Sequence, residues 1–249
     1  MLPELIFREE RLQNLSLVAF LGLTCSILGF KIAEFVFPSE LGLVAVFLAA
    51  IPLVYPLTKY FLEDEKNQRP HVPEVLTYGA LFLGQVVGFF VIGYFNPEAL
   101  SLQVSMFQPQ IASMGITGYA TSGNVFMQIL LNNLRVFTVI FGVATIIGSA
   151  GAFILTWNAS VLGVFFAKLS SSIESGKDII SCSGTPSPLC YAPHTFFEMT
   201  GFIIAGVAGS LISAALYREN FDRETWKDYS KLIGLGILMI LLGAFLEAA

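Results

Sequence analysis

Long, nearly unbroken apolar runs decide what this chain can fold into. Residues 80–95 and 232–246 hold almost no polar side chain, and a bilayer accepts such a run only where the backbone satisfies its own hydrogen bonds, in a helix or a closed barrel. Barrel strands alternate apolar and polar residues, and these runs do not. With 55% hydrophobic and only 12% charged residues, 249 residues are too apolar for a soluble domain. The expected fold is all-α: a polytopic helical bundle, multi-pass in the cell membrane, built as a single transmembrane domain in contact with the lipid bilayer. The net charge of −5 is spread over short stretches between the runs, so no basic patch points to nucleic acid.

About seven spans are expected, with six as the alternative count: 16–37, 41–62, 74–95, 124–148, 152–169, 193–217 and 232–246. Pro52 and Pro56 each remove a backbone donor and bend the second span. Residues 1–15 form either an amphipathic helix on the membrane surface or a solvated tail, and their charged start does not resemble a cleaved signal. The polar, almost uncharged stretch 96–124 is expected to cap one end of the bundle. The chain thus divides into spans with their cap at 1–123, a middle set at 124–216, and a charged link with the last span at 217–249.

Lys and Arg placement orients the bundle. With the N-terminus inside, the inner stretches hold Arg8, Arg11, Lys59, Lys66, Arg69, Arg218, Arg223, Lys227 and Lys231, and the outer ones only Lys168 and Lys177. Cys182 and Cys190 then lie outside, where a disulfide closing a small loop is chemically accessible. Cys25 falls within a span and reads as a packed thiol. The sequons at Asn14 and Asn158 fall inside or within the membrane and are expected to stay unmodified. Glycines at Gly84 and Gly88, and at Gly201, Gly206 and Gly209, suit close helix approach; on that ground a homodimer is expected.

Arg135 is the sharpest feature inside a span, because residues 125–157 contain no other charge. A guanidinium at membrane depth costs roughly 2.5 kcal/mol or more unless a partner meets it. Lys31 and Glu34 sit one turn apart and can pair with each other, which leaves Glu198 as the expected acceptor. Glu198 lies roughly 7 Å below Pro193 and Arg135 roughly 16 Å below Asn124 at 1.5 Å per residue, so their depths are close. Asn132, Asn133 and Asn158 can complete the set, since an amide in lipid seeks an interhelical partner. His194, four residues before Glu198, either caps the first turn after Pro193 or relays a proton. Two such groups fall short of a zinc set, and neither a metal nor a cofactor is expected.

No Gly-x-Ser-x-Gly, His-Glu-x-x-His or Gly-rich phosphate loop is present, which argues against an enzyme, with an intramembrane hydrolase using His194 and Glu198 as the minority alternative. The motifs resemble the stage II sporulation protein M family. Asn132-Asn133-Leu134-Arg135, Gly142 and Gly148, Asn158 with Gly163, and Pro193 to Glu198 followed by Gly201 and Gly209 carry the resemblance over residues 124–216. Thr195 stands where that pattern usually has Gly. The resemblance implies a polytopic protein that serves as a partner for others. Its namesake holds peptidoglycan-degrading proteins at the engulfing membrane of spore formers, whereas relatives occur in organisms that form no spores. The expectation is therefore a non-enzymatic scaffold or accessory subunit with an unidentified membrane or extracytoplasmic protein partner. The alternative is a small channel or transporter using the same cluster as a path for an ion, proton or polar solute.

Overall fold

In the computed structural model the described residues are 14–67, 71–105, 122–174, 188–219 and 222–248. Seven long helices are present among them: α1 (Leu15–Val36), α2 (Leu41–Asn67), α3 (Val72–Phe95), α4 (Ser122–Ile147), α5 (Gly151–Glu174), α6 (Pro188–Tyr217) and α7 (Arg223–Ala248). All seven are at the expected places, and most are longer than expected. The largest difference is in α7: the charged stretch 223–231 is not a separate link but the first two turns of the last helix. Asp222 starts it by accepting the Thr225 backbone N–H at 2.7 Å, which holds its carboxyl below the usual carboxylate range. The stretch 1–13 lies outside the described residues.

Among the described residues six stretches are long and apolar enough to cross a membrane, one of them the 46-residue run Phe126–Ser171 that takes in most of α4 and α5. As one straight helix that run would reach about 69 Å, more than twice the hydrocarbon core. It does not stay straight. Gly148 takes φ of 63°, in the left-handed region, and opens a 3₁₀ turn, Gly148–Ala150. Past it Gly151 returns so close to α4 that a Cβ there would lie 3.0 Å from Ala144 Cβ. Thr58 of α2 holds this turn from the side, its hydroxyl accepting the Ser149 backbone N–H at 3.4 Å.

Glycine crossings give the relative directions. A Cβ at Gly84 would fall 1.8 Å from the Ala19 carbonyl oxygen, and one at Gly88 would meet Ser26, so α3 runs parallel to α1. Gly163 abuts Val86 and Phe89 while Gly93 abuts Val164 and Ala167, making α5 parallel to α3, and Gly209 abuts Phe141 and Thr145 while Glu198 meets Asn133, making α6 parallel to α4. Gly201 meets Gly236 and Ile240 while Gly243 meets His194 and Glu198, so α7 runs against α6. The helices therefore alternate, with Lys59, Arg218, Arg223, Lys227 and Lys231 at the end where α1 begins. Gly84, Gly88, Gly201 and Gly209 all spend their close approach inside the chain. The small-residue faces on which a homodimer was expected are thus already occupied, and that ground for it falls away.

α6 is the centre: 78% of its span residues are buried, against 22% for α7 and 28% for α1. It packs on α7 and α4 and touches α2, α3 and α5. A second apolar core joins α1, α2, α3 and α5 around Phe30, Ala49, Phe89 and Val164, and is closed by Leu100 and Val104 from the residues after α3. Of the cap expected over 96–124, residues 96–105 are among those described, and 122–124 open α4. Gln103 anchors the 96–105 stretch from a fully buried position, donating to the Gly42 carbonyl at 2.8 Å.

A Cβ overlapping main chain at a crossing forces backbone shifts of the overpacking kind. Gly84→Ala is expected to cost about 2 kcal/mol, whereas Gly142→Ala, with nothing within 4 Å of a new Cβ, is expected to stay within about 0.5 kcal/mol. Unfolding of the two purified variants in detergent micelles checks the contrast.

Candidate functional site

The buried stripe of α4 is Leu130, Asn133, Phe137, Ile140 and Ala144, a spacing of three and four that marks one helical face. Asn133 belongs to that stripe. Arg135 comes two residues later, about 200° round the helix, and is exposed. The amide nitrogen of Asn133 therefore reaches α6 and donates to Oε1 of Glu198, which is 9% exposed. The ion pair expected between Arg135 and Glu198 is not formed; the amide on the opposite face of the same helix takes the carboxylate instead. Arg135 has no ion-pair or hydrogen-bond partner among the described residues.

Helix α7 completes the site. A Cβ at Gly243 would lie 2.6 Å from Cγ of Glu198 and 3.2 Å from the carbonyl oxygen of His194, so main chain of α7 walls off the carboxyl side. One turn further on, the exposed Glu247 lies beside Glu198 and near His194. His194 is half-buried one turn before Glu198. It is not in the first turn of its helix, since α6 begins at Pro188 and runs through Pro193.

The cluster brought together is thus Asn133, His194, Glu198 and Glu247. Asn132 is exposed beside Arg135. Asn158 donates to the Ile154 carbonyl of its own helix at 2.8 Å and does not join. The Lys31–Glu34 pair is formed as expected, at 2.7 Å, on the outer surface of α1. Cys182 lies outside the described residues and so does the side chain of Cys190, leaving their pairing aside. Cys25 is buried and free. No group of three His, Cys, Asp or Glu that could hold a metal ion occurs among the described residues.

Sequence reasoning missed two carboxyl groups. Glu247 was hidden because the last apolar run ends just before it, yet the antiparallel α6–α7 hairpin locates it: counting back about 30 Å from the connection along each helix reaches Glu198 and Gly243. Glu74 is only 1% exposed at the start of α3, where the Tyr60 hydroxyl of α2 donates to it at 3.4 Å. Further interhelical polar contacts also went unread. Gln85 of α3 and Thr156 of α5 bond each other, at 2.9 and 3.2 Å, and the Tyr78 hydroxyl lies beside those of Ser149 and Ser210.

Seven apolar helices in alternating directions, tied by buried amide, hydroxyl and carboxyl groups, define a polytopic helical membrane protein. The family model described as Stage II sporulation protein M matches residues 77–249, and the chain belongs to that family. The match begins within α3 and takes in α4 to α7, hence all four members of the cluster. No curated protein and no solved structure matches the chain.

The geometry separates Asn133 from Arg135. Asn133→Ala strips a buried carboxyl of its amide donor and is expected to cost about 1–3 kcal/mol, while Arg135→Gln is expected to leave the unfolding midpoint nearly unchanged. Thermal unfolding in detergent checks this, and the opposite order would restore the ion pair.

Proposed function

We propose that the chain is a non-enzymatic scaffold or accessory subunit of the cell membrane, a rigid bundle that holds other proteins. The observation that supports this is how its interior polar groups are used. Asn133 ties α4 to Glu198 of α6, Gln85 and Thr156 tie α3 to α5, and Gln103 ties the cap to α2. Each contact joins different segments of the fold. Interhelical polar contacts of this kind fix helix positions in lipid, and glycine crossings without slack keep them fixed. Rigidity suits a protein that presents a surface; it does not suit alternating access, which needs one set of helices to rock against another.

One observation favours a second reading, a proton path. Two carboxyl groups in contact with a histidine one turn away are the parts of a relay. Purified protein in liposomes loaded with a pH-sensitive dye decides between them. The scaffold reading expects no proton flux above empty liposomes under an imposed gradient. Flux that Glu198→Gln abolishes while the variant still folds would replace it with the relay.

A further inference from the structure

We infer that the outward face of α4 is a docking surface for a transmembrane helix of another protein that carries a carboxylate near its middle. This rests on the scaffold reading and names the partner's chemistry.

Gln128, Asn132 and Arg135 are spaced four and three residues apart, so they form one stripe, and all three are exposed. None makes a side-chain hydrogen bond or ion pair among the described residues. Elsewhere the outward surface is mainly apolar: α1 presents Phe20, Leu28 and Ile32 beside its internally paired Lys31 and Glu34, and α7 presents Leu235, Leu238 and Phe245 before the exposed Glu247 near its end. Arg135 lies midway along α4, about 20 Å from either end at 1.5 Å per residue. An extended arginine covers roughly a third of that distance, which is too short to snorkel its charge to a headgroup layer. The guanidinium needs an anion brought to it within the membrane. Gly142, two turns further along the same face, has nothing within 4 Å of a Cβ. It leaves a notch where a second helix can approach closely, as glycines elsewhere in this bundle already do.

The occupant is not a second copy of the chain. A two-fold contact through α4 brings Arg135 toward its own equivalent, like charge against like. Of the outward carboxylates in the described spans, Glu34 is already held by Lys31 at 2.7 Å, and Glu247 lies beside Glu198. A foreign helix with a central Asp or Glu supplies the missing charge, and guanidinium with carboxylate makes the strongest pair available there.

The test uses full-length protein carrying a donor dye in phosphatidylcholine vesicles. The probes are three acceptor-labelled polyleucine transmembrane peptides with Glu, Gln or Leu at the centre. Energy transfer is expected to show the Glu peptide binding about tenfold more tightly than the Leu peptide, the scale of polar contacts between membrane helices. Arg135→Gln is expected to erase the preference, Arg135→Lys to keep part of it, and Arg135→Glu to transfer it to a peptide with central Lys. Because Arg135 makes no hydrogen bond or ion pair among the described residues, these variants should fold; the wild-type comparison of peptides decides the matter even where one does not. Equal binding of the three peptides overturns the proposal. So does a requirement for added phosphatidylglycerol without preference among peptides, which would mark a headgroup site, and so does transfer between copies of the protein that Arg135→Gln abolishes. Liposome flux together with a retained Glu preference would overturn the scaffold reading and leave the docking surface standing.

Discussion

The bundle depends on Glu198 being met from two sides. A carboxyl group in the most buried helix is costly in hydrocarbon, and here the cost is offset by an amide from α4, while the main chain of α7 closes over the other side at Gly243. The Asn133 amide and the Gly243 main chain must arrive at one level, which sets how α4 and α7 slide along α6. Gly243 makes that arrangement sterically possible, because any side chain there would strike Glu198 itself. Position along the helix axis is weakly specified by apolar packing alone, since one leucine turn fits another nearly as well. A single polar junction specifies it.

The other half of the bundle solves the same problem differently. α1 and α3 lie in parallel contact over Gly22, Gly84 and Gly88, with main chain against main chain. There the register comes from shape, since only glycine permits the approach at Ala19 and Leu81. Gln85 and Thr156 then carry a polar lock across to α5. The halves meet at α6 and at the turn after Gly148, where Thr58, Ser149 and Tyr78 gather hydroxyl groups beside a glycine in the left-handed region. Every element of the described fold is thereby tied to at least one other by something more specific than hydrophobic contact.

Much of this was legible in the residues, and what was not has a physical cause. Helix positions follow from apolar runs because lipid demands internally bonded backbone, so all seven helices could be read from hydropathy. The Lys31–Glu34 pair is local, one turn apart, and needs no tertiary knowledge. The partner of Arg135 was misjudged because charge complementarity was weighed before helical phase. Leu130, Phe137, Ile140 and Ala144 already define the inner face of α4, and that phase puts Asn133 inward and Arg135 outward. Glu247 was missed because a hydropathy window ends where a polar residue begins, even when packing brings that residue back against a buried one. Glycines predicted close approach correctly but not with whom, since a small residue carries no address.

The outward position of Arg135 changes the meaning of the Asn-Asn-x-Arg run. Were the arginine inside, the run would be one more internal lock, and the family match over residues 77–249 would mark a fold and nothing else. Instead, adjacent residues of one helix serve opposite faces: Asn133 secures α4 against α6, and Asn132 and Arg135 meet whatever lies beyond the bundle. The lock then has a second consequence. By pinning the rotation of α4 about its own axis, the Asn133–Glu198 bond also pins the direction in which Arg135 points. A shift of α4 by one residue would turn the helix by about 100° and bury the cation against apolar neighbours. An internal hydrogen bond and an external charge are thus two readings of one helical phase, which is why a scaffold of this build would need both in a single short stretch.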